Sequence, residues 1–123
     1  KGIFVVLVNI RRGTGLFRQP IRGRKPRRVV YTKLTRNISI QSISEQRASR
    51  KYPNCEVLNS YFVGEDGKNK YYEVIMLSKN QPEVKKDKNL KAIIKQTGRA
   101  ERGLTSSAKK TKGLRKIKET NRK

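Results

Sequence analysis

The chain has 123 residues and a mass of 14.2 kDa, with 33% hydrophobic and 33% charged residues, a mean hydropathy of -0.85 and a formal net charge of +23. Such a chain is one domain at most with a modest core, and so large a surplus of cations repels itself unless a polyanion compensates it. A single cysteine, Cys55, excludes an internal disulfide and fits a reducing compartment, and with no histidine a His/Cys zinc site is excluded as well.

Residues 3–10 are rich in Ile and Val and predict a buried strand, too short to span a bilayer and followed by nothing resembling a signal cleavage site. The chain begins with Lys1 rather than Met and is read as a piece of a longer protein. Residues 11–28 predict a flexible basic loop. Gly13, Gly15, Gly23, Pro20 and Pro26 keep it out of regular structure, while Arg11, Arg12, Arg18, Arg22, Arg24, Lys25, Arg27 and Arg28 stud it with cations. Residues 29–31 are read as a short strand. From Asn37, a candidate N-cap, Ile40, Ile43 and Ala48 recur at roughly helical spacing until Tyr52-Pro53-Asn54 stops them, which predicts a helix over residues 38–51.

The clearest local signal comes next. Residues 57–63 and 71–77 are rich in aromatic and β-branched residues and flank Gly64-Glu65-Asp66-Gly67. Asp-Gly between such runs predicts a hairpin, with Gly supplying the positive φ of a tight turn. Leu58, Ser60 and Phe62 then share one face of their strand, and Tyr72, Val74 and Met76 one face of the other. Both faces of the hairpin are fairly apolar, so cover on both is expected, one by the helix. Tyr61, Phe62, Tyr71 and Tyr72 are read as core rather than as base-stacking platforms. Gln81-Pro82 opens a short turn or helix, residues 90–94 form a last strand or helical segment, and after Lys95 the periodicity fades into a basic tail divided by Gly98, Gly103 and Gly113.

The charge follows this layout. Residues 1–44 carry 11 Lys and Arg and no acid, residues 45–94 carry 10 against 7 acids, and residues 95–123 carry 11 against 2. Two polycationic ends on a nearly balanced middle suit nucleic acid, because each phosphate contact releases condensed counterions. Arginine alternating with glycine lets guanidinium forks and backbone amides approach phosphate together. No zinc finger, zipper heptads or clear helix-turn-helix is present, which favours RNA over DNA, although the common RNA modules are missing too. A membrane-surface role would call for an amphipathic helix with bulky anchors or a lipidation site, and neither appears.

Carboxylates are the only route to catalysis. Glu65 and Asp66, with Glu56 or Glu73, are the candidates for a magnesium-dependent nuclease, but Asp66 is the residue the turn demands and the others can pair with nearby Lys and Arg. No nucleophile, base and orienting group converge, so no enzyme, cofactor or small-molecule substrate is expected. A nucleic-acid chaperone or DNA-compacting protein is the alternative class.

The stretch Tyr52-Pro53-Asn54-Cys55-Glu56-Val57-Leu58-Asn59-Ser60-Tyr61-Phe62-Val63-Gly64-Glu65-Asp66-Gly67 resembles the L-fifteen-e family of large-subunit ribosomal proteins of archaea and eukaryotes. Ser39-Ile40-Gln41-Ser42-Ile43-Ser44-Glu45-Gln46-Arg47-Ala48, Tyr72-Glu73-Val74-Ile75 and Arg102-Gly103-Leu104-Thr105-Ser106, followed by Lys109-Lys110 and Gly113-Leu114-Arg115, agree in order. Tyr52-Pro53-Asn54 and Gly98-Arg99-Ala100 look archaeal. Phe62 stands where the family usually has Trp, and Ser107-Ala108 replaces Ala-Gly. The usual histidines before the Arg-Gly-Leu-Thr-Ser motif are absent, which leaves Lys95, Gln96 or Arg99 to make any contact of theirs.

The resemblance implies a structural constituent of the large ribosomal subunit in the cytoplasm, with large-subunit rRNA and neighbouring ribosomal proteins as partners. The expected fold class is α+β, a small antiparallel sheet with a central β-hairpin packed by one or two helices, plus an extended basic loop and a C-terminal tail. Residues 1–94 are expected to form the core domain, and residues 95–123 a basic rRNA-binding extension. The expected RNA contacts are the basic loop named above together with Arg99, Arg102, Lys109, Lys110, Lys112, Arg115 and Lys116.

Overall fold

The structure is a computed structural model and describes residues 2–14, 23 and 35–114. It is a three-stranded antiparallel sheet with helices, an α+β fold. Strands β1 (Ile3–Arg11), β2 (Cys55–Glu65) and β3 (Asn69–Ser78) stand in the order β1-β3-β2. The hairpin is therefore present, but its second strand is the central one and β1 pairs along the other side of it. The expected strand at residues 29–31 lies outside the described residues.

Helix α1 (Ile40–Lys51) starts two residues later than expected, and Ser39 rather than Asn37 is its cap, accepting the Ser42 amide at 3.2 Å. Tyr52 ends it, and the Tyr52 ring meets Phe4 edge-on with centroids 5.6 Å apart. The helix covers one face of the sheet. There Val57, Val74 and Met76 pack with Ala48 and with Ala100 from further along the chain, flanked by Phe4, Val6 and Val8. Ile40 and Ile43 are only half-buried, and the buried positions of α1 are Ser42, Ser44, Glu45 and Ala48. Small residues let the helix contact both the sheet and the two helices beyond it, a placement that the apolar spacing did not indicate.

The hairpin faces differ from strict alternation. A bulge between Val57 and Asn59 puts Val57 on the α1 face with Ser60, opposite Met76 and Val74 respectively, and leaves Leu58 off that face. One extra residue in β2 flips the parity of everything before it. A second irregularity lies between Phe62 and Gly64. Beyond the reach of α1 the tip opens to solvent: Tyr72 is buried, but Phe62 and Tyr61 are about half exposed, so the core expectation fails for these two. Phe62 keeps an edge-on contact with Tyr72 at 5.7 Å.

The turn is made differently as well. Gly67 does not adopt positive φ. Instead the Asp66 carboxylate accepts the amides of Lys68 and Asn69 at 2.7 and 2.5 Å and the Tyr71 hydroxyl at 2.7 Å. These donors hold the Asp66 carboxyl below its ordinary range, the Asn69 amide foremost.

On the opposite face, α2 (Pro82–Lys86) and α3 (Lys88–Ile94) cover one end, where Leu77 and Val84 are buried; the ambiguous segment at residues 90–94 is helical. The rest of that face is open along β1, with Ile3, Val5 and Leu7 at 53, 50 and 60% exposure. The expectation of a buried first strand is met only in part: Ile10 is buried, and Phe4, Val6 and Val8 are half-buried on the α1 side.

After Lys95 two short helices stand where the sequence shows no periodicity: α4 (Arg99–Arg102) and α5 (Ser106–Thr111). Their anchor is the fully buried Glu45 of α1, which accepts the Ser60 hydroxyl of β2 and the Thr105 hydroxyl that caps α5, each at 2.5 Å. Burial pushes the Glu45 carboxyl above its ordinary value, against the pull of the two hydroxyls and of the Arg99 charge. Replacing Glu45 with Ala should cost about 2–4 kcal/mol in a denaturant titration, because two buried hydroxyls lose their acceptor. Glu45→Gln should cost less, with a pH signature. A raised folded-state pKa makes the Glu45 contribution complete below the ordinary value of 4.5 and lost as pH rises through the raised value. The Tm of the Gln variant relative to the parent should therefore climb between mildly acidic and neutral pH; a constant difference would contradict the burial.

Candidate nucleic-acid interface

Two clusters of cations emerge on the folded body. The first lies where the basic loop leaves β1. Arg12 is clasped by the hairpin tip: its amide donates to the Lys68 carbonyl at 2.8 Å, its guanidinium to the Asp66 carbonyl at 3.1 Å, and Glu65 stands 3.8 Å away. Glu65 also pairs with Lys70 at 3.1 Å, and hydrogen bonding to Lys70 with the charges of Arg12 and Lys70 holds its carboxyl below the ordinary range. The Arg36 guanidinium donates to the Arg11 carbonyl at 3.1 Å, so the chain on the far side of the loop returns to the point where the loop begins. Arg11 and Arg12 are both exposed. Arg18, Arg22, Arg24, Lys25, Arg27 and Arg28 lie outside the described residues.

The second cluster is built on the corner between α4 and α5. Glu56, almost fully buried, accepts the Gly98 and Arg99 amides at 3.2 and 2.9 Å and pairs with Lys79 at 3.3 Å, which fixes the start of α4. The corner itself is the Arg-Gly-Leu-Thr-Ser stretch. Gly103 ends α4 at φ +83°, a conformation that disfavours any Cβ, and the Lys112 side chain lies over it so closely that a Cβ would fall 2.8 Å from Lys112 Cδ. Two residues on, Thr105 starts α5 by accepting the Ala108 amide at 3.3 Å. The stretch thus has a structural job, ending one helix and starting the next.

The expected contact residues of this segment divide by what they already hold. Arg99 is half-buried, with Nε on the Val57 carbonyl at 3.1 Å and a terminal nitrogen on Gln96 at 2.6 Å. Arg102 Nε donates to the Thr97 carbonyl at 2.8 Å from an exposed position, and Lys112 Nζ to the Arg102 carbonyl at 3.3 Å. Lys109 and Lys110 are exposed in the last turn of α5, with no side-chain partner among the described residues. Arg115 and Lys116 lie outside them. Sequence reading gave Glu45, Ser60 and Thr105 no such role and weighed Glu56 only for metal chemistry, yet these are the buried groups that make the corner rigid. The one available signal was a helix with too few apolar residues to fill a buried stripe.

The carboxylates considered for metal chemistry are otherwise engaged. Glu65 pairs with Lys70 and Arg12, Asp66 closes the turn, Glu56 holds the start of α4, and Glu73 accepts the Tyr61 hydroxyl, a bond that raises the tyrosine pKa. Among the described residues no three His, Cys, Asp or Glu side chains stand together as a metal site would need. No helix among them is long and apolar enough to cross a membrane.

Comparison with known proteins finds relatives over nearly the whole chain. The large ribosomal subunit protein eL15 of Methanocella arvoryzae is 51% identical over 118 residues, covering 94% of this chain and 60% of the relative. That of Thermoplasma volcanium is 50% identical over 116 residues, 93% of this chain and 59% of the relative. The chain thus spans about 60% of the length of the curated relatives it matches. The family model described as Ribosomal L15 matches residues 1–123, and the chain belongs to that family.

Proposed function

We propose that this chain is a structural constituent of the large ribosomal subunit that holds its rRNA at two places, the basic loop opening at Arg11 and Arg12 and the segment beginning at Arg99. The observation that carries the reading is the α4–α5 corner. Lys109 and Lys110 stand exposed, without a side-chain partner among the described residues, on a corner braced by two buried carboxylates, so their charges meet phosphate from a fixed frame. Arg102 adds a fork whose Nε is already oriented. Functionally the chain divides near residue 95 into a body and an RNA-contacting extension, and the extension begins as a folded corner before Arg115 and Lys116 continue it.

The mechanism is neutralisation and shape fitting. A net charge of +23 is an assembly charge, balanced only against phosphates, and each contact releases counterions. Rigid placement lowers the ordering cost of those contacts. The remaining partners are neighbouring ribosomal proteins, a reading supported by the open apolar strip of Ile3, Val5 and Leu7.

Neutralising Arg102, Lys109 and Lys110 together with Gln should weaken binding to folded large-subunit rRNA and lower the slope of log K against log salt by about 2–3, on the order of one per lost phosphate contact. Neutralising Lys85, Lys86 and Lys88 instead removes the same charge from α2 and α3 and should change the slope less; equal effects of the two triple variants would show that bulk charge alone matters.

Sedimentation tests the assembly itself. A tagged full-length protein in a cell lysate should remain with the large subunit on a gradient washed at raised salt. Spreading over bulk nucleic acid, with equal affinity for duplex DNA, would favour a general chaperone or compacting protein.

A further inference from the structure

Between the start of α1 and helices α4 and α5 lies a cavity of about 230 Å³. That is below the ~300–1,000 Å³ of pockets for drug-sized ligands, and suited to one planar ring system. Its walls include Ile38 and the small residues Ala100 and Ala108, and its polar lining includes Asn37, Gln46 and Lys112.

The polar groups around it divide sharply. Glu101 is paired with Arg50 at 2.8 Å, the Thr111 hydroxyl stands 2.9 Å from the Ser39 hydroxyl and donates to the Ser107 carbonyl at 3.1 Å, and Lys112 donates to the Arg102 carbonyl. The side-chain amides of Asn37 and Gln46 are different: neither has a hydrogen-bond partner among the described residues. Asn37 is exposed and Gln46 half-buried, and neither amide is sealed from solvent, so both are open to a ligand that enters the cavity.

We propose that this cavity receives a single unpaired nucleobase of the bound RNA, read on its edge by the Asn37 and Gln46 amides; the proposal deepens the RNA reading above and rests on it. Each amide presents a donor beside an acceptor, the pattern that base edges complement, and alanines leave room for a flat ring to slide between α1 and α5. The flanking charge selects the ligand class. Lys112 lines the cavity, and Lys109 and Lys110 stand one turn or less away on the same segment, where the phosphates on either side of an extruded base would lie. Recognition of splayed-out bases is how proteins read RNA sequence, since the A-form major groove admits no side chains. The side chain of a neighbouring protein would need neither the two amides nor the cationic rim.

Neutral nucleosides test the cavity without the phosphate attraction that any RNA brings to this chain. Adenosine, guanosine, cytidine and uridine are titrated into the isotope-labelled full chain and backbone amide shifts are followed by NMR. At least one should give saturable shifts centred on Asn37, Gln46 and Ala108, and the Asn37→Ala/Gln46→Ala double variant, its spectrum otherwise intact, should bind that nucleoside about tenfold more weakly. Absence of saturable shifts with all four, or equal affinity in the double variant, would overturn the proposal. So would saturation by N-acetyl-tyrosinamide alone, which would mark the cavity as a seat for a protein side chain. Salt-dependent binding of folded rRNA, measured in parallel, reports on the RNA reading separately.

Discussion

The buried carboxylate of Glu45 is the constraint on which the rest of the molecule turns. It sits on α1, accepts from β2 and accepts from the residue that starts α5, so three segments far apart in the chain meet at two oxygen atoms. A charge in that position is costly to desolvate, and a truncated partner would leave the remaining groups unsatisfied. The apolar cluster beneath α1 is small, five buried residues among those described with a ring of partly buried ones, and could not by itself specify where two short helices dock. Directional bonds supply the specificity that a thin core lacks. Glu56 repeats the arrangement one element away, with backbone amides in place of hydroxyls.

Cations in this chain therefore serve two purposes, and location separates them. Arg12, Arg99 and Lys112 spend their hydrogen bonds on carbonyls and carboxylates of the body itself, tying down the mouth of the loop, the start of α4 and the corner glycine. Among the described residues Lys109 and Lys110 hold nothing comparable. A cationic surface of this kind contains internal struts and outward-facing charges made from the same residue types. Because a guanidinium has five donors, a strut such as Arg12 retains capacity for a phosphate even while it is bonded inward.

Much of this was legible in the sequence where the signal is carried by several residues acting together. The end of α1 follows from Tyr52-Pro53-Asn54, while its start falls two residues past the expected one with a different cap, and the hairpin follows from two aromatic, β-branched runs around Asp66. The family was readable in the motif around Tyr52 to Gly67. What could not be read depends on single residues or on distant partners. The bulge at Leu58 moves Val57 onto the core face without any change in composition. Helices α4 and α5 are too short for periodicity to show, and are held by Glu56 and Glu45, which lie 43 and 60 positions before their partners Arg99 and Thr105. Phe62 has the composition of a core residue, yet it stands at the tip of a hairpin longer than the helix that covers it. Which cations are struts could not be inferred from a count of basic residues at all.

The open strip of Ile3, Val5 and Leu7 has a consequence for the chain before assembly. A row of apolar side chains on a sheet face invites copies to stick together, and here the mutual repulsion of strongly positive bodies opposes it. That protection is lost when any polyanion neutralises the charge without also covering the strip. Under the function proposed above, the partly neutralised states between the free and the assembled chain are where precipitation would begin. The order of assembly, charge first or apolar face first, would then matter as much as the contacts themselves.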